Sequence, residues 1–265
     1  MNEADLPPDL GFAVRTARAA GAITMRWFQT PGLVADGKHD GSPVTEADRA
    51  AERFVREAVA RAFPGDGVIG EEFPPAESTT GRTWIVDPID GTRSFVQGVP
   101  LFGTMLGLMV NGEPTVGAIC MPALDECVGA QTGHGCWWWK KTDTAPARAR
   151  VSRRDDLHGA VCLSTSLEYY SEPRHKRAWS RLNDLGAITR GWSDCYAFVL
   201  LATGRADAVI EPGVKLWDVA AVPPIITEAG GVWTDIDGDH NLHAGSIVAT
   251  NARLHAAVID AIRTA

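Results

Sequence analysis

Apolar positions at the start of the chain recur at helical spacing. Leu10, Ala13, Val14, Ala17, Trp27 and Phe28 share one face, which predicts an amphipathic helix from Asp9 to about Phe28. Pro31-Gly32 ends it, and Thr30 to Pro43, rich in Gly, Asp and Pro, reads as a long loop of the functional or mobile kind. A second helix is expected after Thr45, whose spacing to Asp48 is that of a capping box ahead of an apolar face of Ala51, Phe54, Val55 and Ala58. From Val68 the period changes to short β-branched runs, Val68-Ile69 and Trp84-Ile85-Val86, that end in acidic, Gly-rich turns. Thr104 to Val110 and Thr115 to Met121 flank Asn111-Gly112-Glu113-Pro114 as a hairpin, and residues 126–130 and 136–139 continue the antiparallel series.

Residues 140–150 lose the apolar period and read as a surface connection. Beyond it strand and helix patterns alternate, with Pro223 and Pro224 breaking what otherwise reads as one helix from Trp217 to Ala229. The expected organisation is an N-terminal α+β lobe over residues 1–145, built on a large antiparallel sheet, and a C-terminal α/β lobe over residues 146–265. In Cys136-Trp137-Trp138-Trp139, alternation along a strand would bury one or two indoles and leave another exposed, available to a homodimer contact.

Composition narrows the function classes. With 45% hydrophobic and 22% charged residues, the 265-residue chain is of ordinary globular make-up. A formal charge of −8 without any Lys/Arg run argues against nucleic acid or an anionic membrane as partner. The richest apolar run, Leu101 to Val110, is punctuated by Gly103 and Gly107 and falls short of a membrane span; the acidic N-terminus is unlike an export signal, so a cytoplasmic location is expected. Five scattered Cys without zinc spacing suggest free thiols in a reducing compartment.

The chemistry concentrates in Trp84-Ile85-Val86-Asp87-Pro88-Ile89-Asp90-Gly91-Thr92, an apolar strand running into two carboxylates. Pro88 fixes its own φ and biases Asp87 towards an extended conformation, so both carboxylates and the Ile89 carbonyl can face one point, as hard cations require. Gly91 and Thr92 follow with backbone N–H groups suited to a phosphate. Glu71 and Glu72 after one strand and Asp218 at a helix start add acids that would repel one another without a metal. Each acid alone has an ordinary explanation as a turn, a helix-start charge or a solvated group; the combination does not.

GEEF at 70–73, WIVDPIDGTRSF at 84–95 and WDVAAVPPIITEAGG at 217–231, with SPVTEAD at 42–48, closely resemble the inositol monophosphatase superfamily of magnesium-dependent, lithium-sensitive phosphatases. The resemblance implies a layered αβαβα sandwich with the site between two lobes. It implies a magnesium site, with manganese a possible substitute, of about two to three ions held by Glu71, Asp87, the Ile89 carbonyl, Asp90 and Asp218. Asp48 would be both a helix cap and part of the shell that orients water at a third metal; Lys38 is either a solubilising loop charge or a group that closes over the site.

Phosphate-monoester hydrolysis then needs an activated water in line with the leaving group, with Glu71 and Thr92 placed to take or relay its proton. No Ser, Cys or His sits in a nucleophile motif, so no covalent phosphoenzyme is expected. Substrate choice must come from elsewhere. In the resemblance, Glu211, Asp90 and Asp218 meet the leaving-group side, and Ser193-Asp194 stands where inositol phosphatases carry small residues. Asp194 would suit an ammonium; the competing explanation is a cap on the helix that starts there. GDGVIGEEF, FVQGVPLFGT and SDCYAFVLLATG resemble histidinol-phosphate phosphatases of the inositol-monophosphatase type, which implies a small phosphorylated metabolite of histidine biosynthesis as substrate. The alternatives are an inositol-1-phosphate or sugar-phosphate phosphatase, and a non-enzymatic metal-binding regulatory module of the same fold.

Overall fold

The computed structural model describes residues 5–31, 36–37, 43–141, 145–170, 173–192 and 194–264; Lys38 and Ser193 lie outside them. The opening helical period becomes α1 (Pro8–Thr24), with Leu10, Ala13, Val14 and Ala17 fully buried. It stops before Trp27 and Phe28, which fall in the following turns and pack against Phe95 and Phe102 instead of extending the helix face. After the short pair β1 (Asp36–Gly37) and β2 (Pro43–Val44) comes α2 (Glu46–Ala62). Its capping box forms as expected: the Thr45 N–H donates to Asp48 Oδ2 at 2.8 Å, and Ala47 N–H donates to Thr45 Oγ1 at 3.1 Å.

Seven strands then build one sheet in sequence order: β3 (Gly67–Gly70), β4 (Arg82–Asp90), β5 (Gly103–Val110), β6 (Glu113–Met121), β7 (Glu126–Gln131), β8 (Gly135–Lys140) and β9 (Ala147–Arg148). Only β3 and β4 run parallel. The five-residue helix α3 (Thr92–Val96) leaves the end of β4. Between β5 and β6, Asn111 and Gly112 both take positive φ, 52° and 87°, the two-residue turn whose twist matches a hairpin. The tract 140–150 is less irregular than its composition suggests, because β9 adds its edge pairing to β8 there.

The remaining elements are β10 (Val161–Leu163), a 3₁₀ turn at Leu167–Tyr169, α4 (Pro173–Asp184), β11 (Ile188–Arg190), α5 (Cys195–Ala202), β12 (Ala208–Pro212), α6 (Leu216–Val219), α7 (Val222–Glu228), β13 (Gly231–Thr234), β14 (Ser246–Asn251) and α8 (His255–Arg263). A five-stranded mixed sheet orders β11-β10-β12-β14-β13. The expected helix from Trp217 is broken into α6 and α7, with Pro223 and Pro224 inside the first turn of α7, where a missing N–H costs little.

Three apolar clusters stack these parts into five layers. The first joins α1 and α2 to one face of the large sheet through Leu10, Val14, Val55, Val59, Trp84 and Leu106. The second fills the middle with Ile119 and Val128 from that sheet's other face, Phe198 and Ile225 from α5 and α7, and Val209 and Ile247 from the small sheet. The third lays α4 and α8 over the small sheet through Leu182, Val258 and Ile262. This is the αβαβα sandwich.

Two sequence expectations need correction. Cys120 and Cys127 are not free thiols: they stand directly opposite on β6 and β7, with Cα atoms 4.1 Å apart, and are joined as a disulfide. Cys136, Cys162 and Cys195 remain free and buried. Among the indoles, Trp137 and Trp139 are buried under α1, and Trp138 on the opposite face is half-buried within the chain. Its Nε1–H donates to Glu126 at 2.6 Å, and the Arg205 guanidinium and Lys140 ammonium cover its ring at 5.0 and 4.4 Å.

The α6–α7 junction rests directly on the large sheet. A Cβ at Gly117 would collide with the Ala221 backbone, and one at Gly107 would come within 3.1 Å of the Ala220 and Ala221 backbones. Gly117→Ala should therefore destabilise the fold by about 1 to 3 kcal/mol, as overpacking does. Denaturant midpoints measure it; an unchanged midpoint would contradict this packing.

Candidate active site

The acidic strand ends in a bulge. Asp87 pairs with Met105 but Asp90 with Gly103, so one extra residue is inserted around Pro88-Ile89 and the two carboxylates turn to the same side. The Ile89 N–H donates to Asp87 Oδ1 at 3.0 Å, and the Thr92 hydroxyl donates to the Ile89 carbonyl at 3.0 Å. Gly91 takes φ 88°, which sends the chain into α3. Asp218 enters from α6, where its carboxylate accepts the Lys215 N–H at 2.7 Å. Carboxylate oxygens of Asp87, Asp90 and Asp218 lie within 4.8 Å of one another.

A cleft of about 420 Å³ holds this cluster together with Glu71, Thr92, Asp194 and Glu211. Among the described residues, seven carboxyl groups line it against two basic side chains, Arg93 and Lys215, both exposed. The electrostatic consequence is severe. Burial first, then Glu71, Asp90 and Asp218, push the Asp87 carboxyl well up; burial, Asp194 and Asp218 do the same to Asp90. Burial also lifts Asp218, and Asp48 on α2, from the ordinary 3.8 to about 6.

Asp48 is fully buried, and its Oδ1 has no hydrogen-bond partner although Oδ2 is used in the cap. Such an orphaned acceptor beside mutually repelling carboxylates fits a hydrated cation, and the donor set is entirely hard oxygen. Asp87, Asp90, Asp218, Glu71 and the Ile89 carbonyl are the groups that would hold it.

Asp194 has an unusual backbone, φ 52° and ψ −151°, a region nearly confined to glycine that costs on the order of 1–3 kcal/mol. Its side chain makes no capping bond to α5, so the capping explanation does not hold. Its Oδ2 instead lies 3.2 Å from where a Cβ on Gly91 would stand, reaching across to the acidic turn. Next to it the Cys195 N–H donates to Asp90 Oδ2. Glu211, 4% exposed on β12, accepts the Thr165 hydroxyl at 2.9 Å, and its carboxyl is pushed well up by burial.

Sequence reasoning missed Glu52 and Thr165. Glu52 is fully buried on α2; it accepts the Glu72 N–H at 2.7 Å, pairs with Arg56 at 2.8 Å, and occupies space that a Cβ on Gly70 would need. It thereby fixes the turn carrying Glu71. A signal existed, since Glu52 lies one helical turn after Asp48 on the face of Ala51 and Val55. Thr165, beyond the end of β10, carries no such signal.

The family model for the inositol monophosphatase family matches residues 5–265. The chain belongs to that family. It is 41% identical to the histidinol-phosphatase of Mycobacterium tuberculosis, over 95% of this chain and 96% of that one. Against the histidinol-phosphatase of Chlorobaculum parvum identity is 39%, over 97% of each chain. The crystal structure of the extragenic suppressor protein suhB from Bartonella henselae superposes with a TM-score of 0.89 at 26% identity, over 97% and 99% of the two chains. The protein is accordingly a phosphoric monoester hydrolase of a metal-dependent family, and no described helix is long and apolar enough to cross a membrane.

A pH signature follows from the raised carboxyls. With folded-state values of about 6 against an ordinary 3.8, Asp48 and Asp218 lend stability that is fully present below 3.8 and lost as pH rises through 6. The loss is at most about 3 kcal/mol apiece. Melting of the metal-stripped protein should fall between about pH 4 and 7, while the stabilisation added by magnesium grows over the same interval. Metal-free stability that climbs across this range would contradict the arrangement.

Proposed function

We propose that this phosphatase hydrolyses L-histidinol phosphate to L-histidinol and phosphate, using magnesium. The observation that carries the reading is the pair Asp194 and Glu211, which line the same cleft from the start of α5 and from β12. Asp194 is held in a strained backbone and does not cap its helix. A carboxylate maintained at such conformational cost is best explained by a cation, and the leaving group of histidinol phosphate brings an ammonium. The two histidinol-phosphatase relatives, near 40% identical over almost the whole chain, support the same reading.

Magnesium, when bound, supplies Lewis acidity that lowers the pKa of water and offsets charge on the transferring phosphoryl group. Glu71, Asp87, the Ile89 carbonyl, Asp90 and Asp218 are the groups we assign to hold it. Glu71 acts as the proton acceptor for the attacking water, with the Thr92 hydroxyl orienting that water from its anchor on the Ile89 carbonyl. Asp48 contributes its unpartnered Oδ1 to the hydration shell. Backbone N–H groups of Gly91 and Thr92 seat the phosphate, and Asp194 and Glu211 bind the amino alcohol that departs.

Phosphate release with magnesium, measured on L-histidinol phosphate, inositol 1-phosphate and fructose 1,6-bisphosphate, tests the substrate. Histidinol phosphate should lead by tenfold or more in kcat/KM, about 1.4 kcal/mol. Asp194→Ala should erase that lead, because truncating one partner of a charge pair costs about 2 to 5 kcal/mol, or roughly 30-fold and upward. A wild-type enzyme that prefers inositol 1-phosphate would return that ester to the front. Asp90→Asn should remove activity while raising the melting temperature of the metal-free protein, since it deletes a repelling charge at nearly constant shape.

A further inference from the structure

Thr165 connects the two acids of the leaving-group side. Its hydroxyl oxygen accepts the Asp194 backbone N–H at 3.1 Å, and its hydroxyl hydrogen goes to Glu211 Oε1 at 2.9 Å. One side chain thus uses both its accepting and its donating capacity, on two residues 17 positions apart in sequence. The placement follows from the sheet. β10 and β12 are parallel neighbours with Leu163 opposite Val209, so the chain two residues beyond each brings Thr165 beside Glu211. Thr165 is half-buried at the cleft wall, and Glu211 is almost wholly buried.

We infer that Thr165 is a positioning residue for substrate selectivity: it aligns the Glu211 carboxylate and the Asp194 main chain as one unit facing the leaving group. This inference rests on the histidinol-phosphate reading and deepens it. A hydroxyl that donates to Glu211 consumes one lone pair of Oε1 and fixes the carboxylate's rotation, leaving the rest of the group directed at the ligand. The same hydroxyl satisfies the N–H of a residue whose backbone lies in a sparsely populated conformation, and such a conformation persists only where its surroundings enforce it.

The test compares wild type, Thr165→Val, Thr165→Ser, Glu211→Gln and the double variant Thr165→Val/Glu211→Gln, on L-histidinol phosphate and on glycerol 2-phosphate, whose leaving group is uncharged. Valine keeps the shape of threonine and deletes both hydrogen bonds; serine keeps the hydroxyl. In Thr165→Val the ratio of kcat/KM between the two esters should drop about 10- to 100-fold, mainly through KM for histidinol phosphate, and serine should restore most of it. In the Glu211→Gln background the valine substitution should change the ratio by far less, because its effect passes through Glu211. A ratio in Thr165→Val within threefold of a histidinol-selective wild type overturns the role of Thr165 and leaves the substrate reading intact. A wild type without preference for histidinol phosphate overturns both. Should Thr165→Val fail to fold, Thr165→Ala takes its place beside Glu211→Gln: full additivity of the alanine and glutamine effects would overturn the coupling, and non-additivity would support it.

Discussion

Mutual repulsion among buried carboxylates is the constraint on which the rest of this molecule depends. Asp87, Asp90 and Asp218 bring oxygens within 4.8 Å of each other in a cleft where burial already disfavours their ionised forms. No arrangement of the chain alone would assemble them at a free-energy gain. The surrounding structure must therefore force the approach, and several otherwise odd local choices do so. A bulge in β4 turns Asp87 and Asp90 to one side. Glycines at 107 and 117 let the α6–α7 junction, which carries Asp218, settle onto the backbone of the large sheet. Buried Glu52 holds the turn that presents Glu71, at the expense of burying one more charge beside Arg56.

Because Asp87 and Asp90 end a strand of the large sheet while Asp218 comes from α6, the cluster is only as rigid as the packing of the middle helix layer on that sheet. Two polar ties brace that contact at a distance from the site. Glu228 at the end of α7 accepts the N–H groups of Gly133 and Gly135 in the turn between β7 and β8, at 2.7 and 2.6 Å. Arg205, just past α5, meets Glu126 at 2.5 Å and lies between the rings of Trp138 and Tyr196. Glu126 is only 8% exposed, so this ion pair is shielded from the screening that weakens surface pairs. The middle indole of the Trp tract thus holds α5 in place, and the first N–H of α5 ends on Asp90.

The sequence made the parts governed by local rules legible. The capping box at Thr45 and Asp48, the hairpin turn near Asn111-Gly112 and the break near Pro223 depend on residues adjacent in the chain. The cap forms as spaced, while the turn is tightened to two residues because Glu113 and Pro114 join β6, and the break falls just ahead of the prolines. The acids of the site were legible as types in an unusual string. What stayed hidden depends on register between distant segments. The disulfide needed Cys120 and Cys127 to fall opposite each other across a turn, and β9 needed only two residues to find an edge. Thr165 acquires a role only because β10 and β12 are parallel neighbours, a relation absent from composition and period. Asp194 was ambiguous in sequence because a helix start calls for the same residue type as an ammonium; the missing capping bond separates the two.

The two groups of acids differ in what can neutralise them, and this difference explains how one metal site could serve many esters while a given member remains selective. On the proposed reading, the set on β4 and α6 meets a divalent cation whichever substrate arrives. Asp194 and Glu211 lie at the start of α5 and on β12, and among the described residues the basic side chains that line the cleft, Arg93 and Lys215, are exposed at its wall. On the same reading, the ammonium of the leaving group meets that second set. A cationic leaving group makes a charge-assisted contact there that a neutral polyol cannot, which separates the two esters. On the proposed reading, selectivity in this enzyme rests on that charge pairing, with the strained backbone at Asp194 fixing where the substrate's cation must sit.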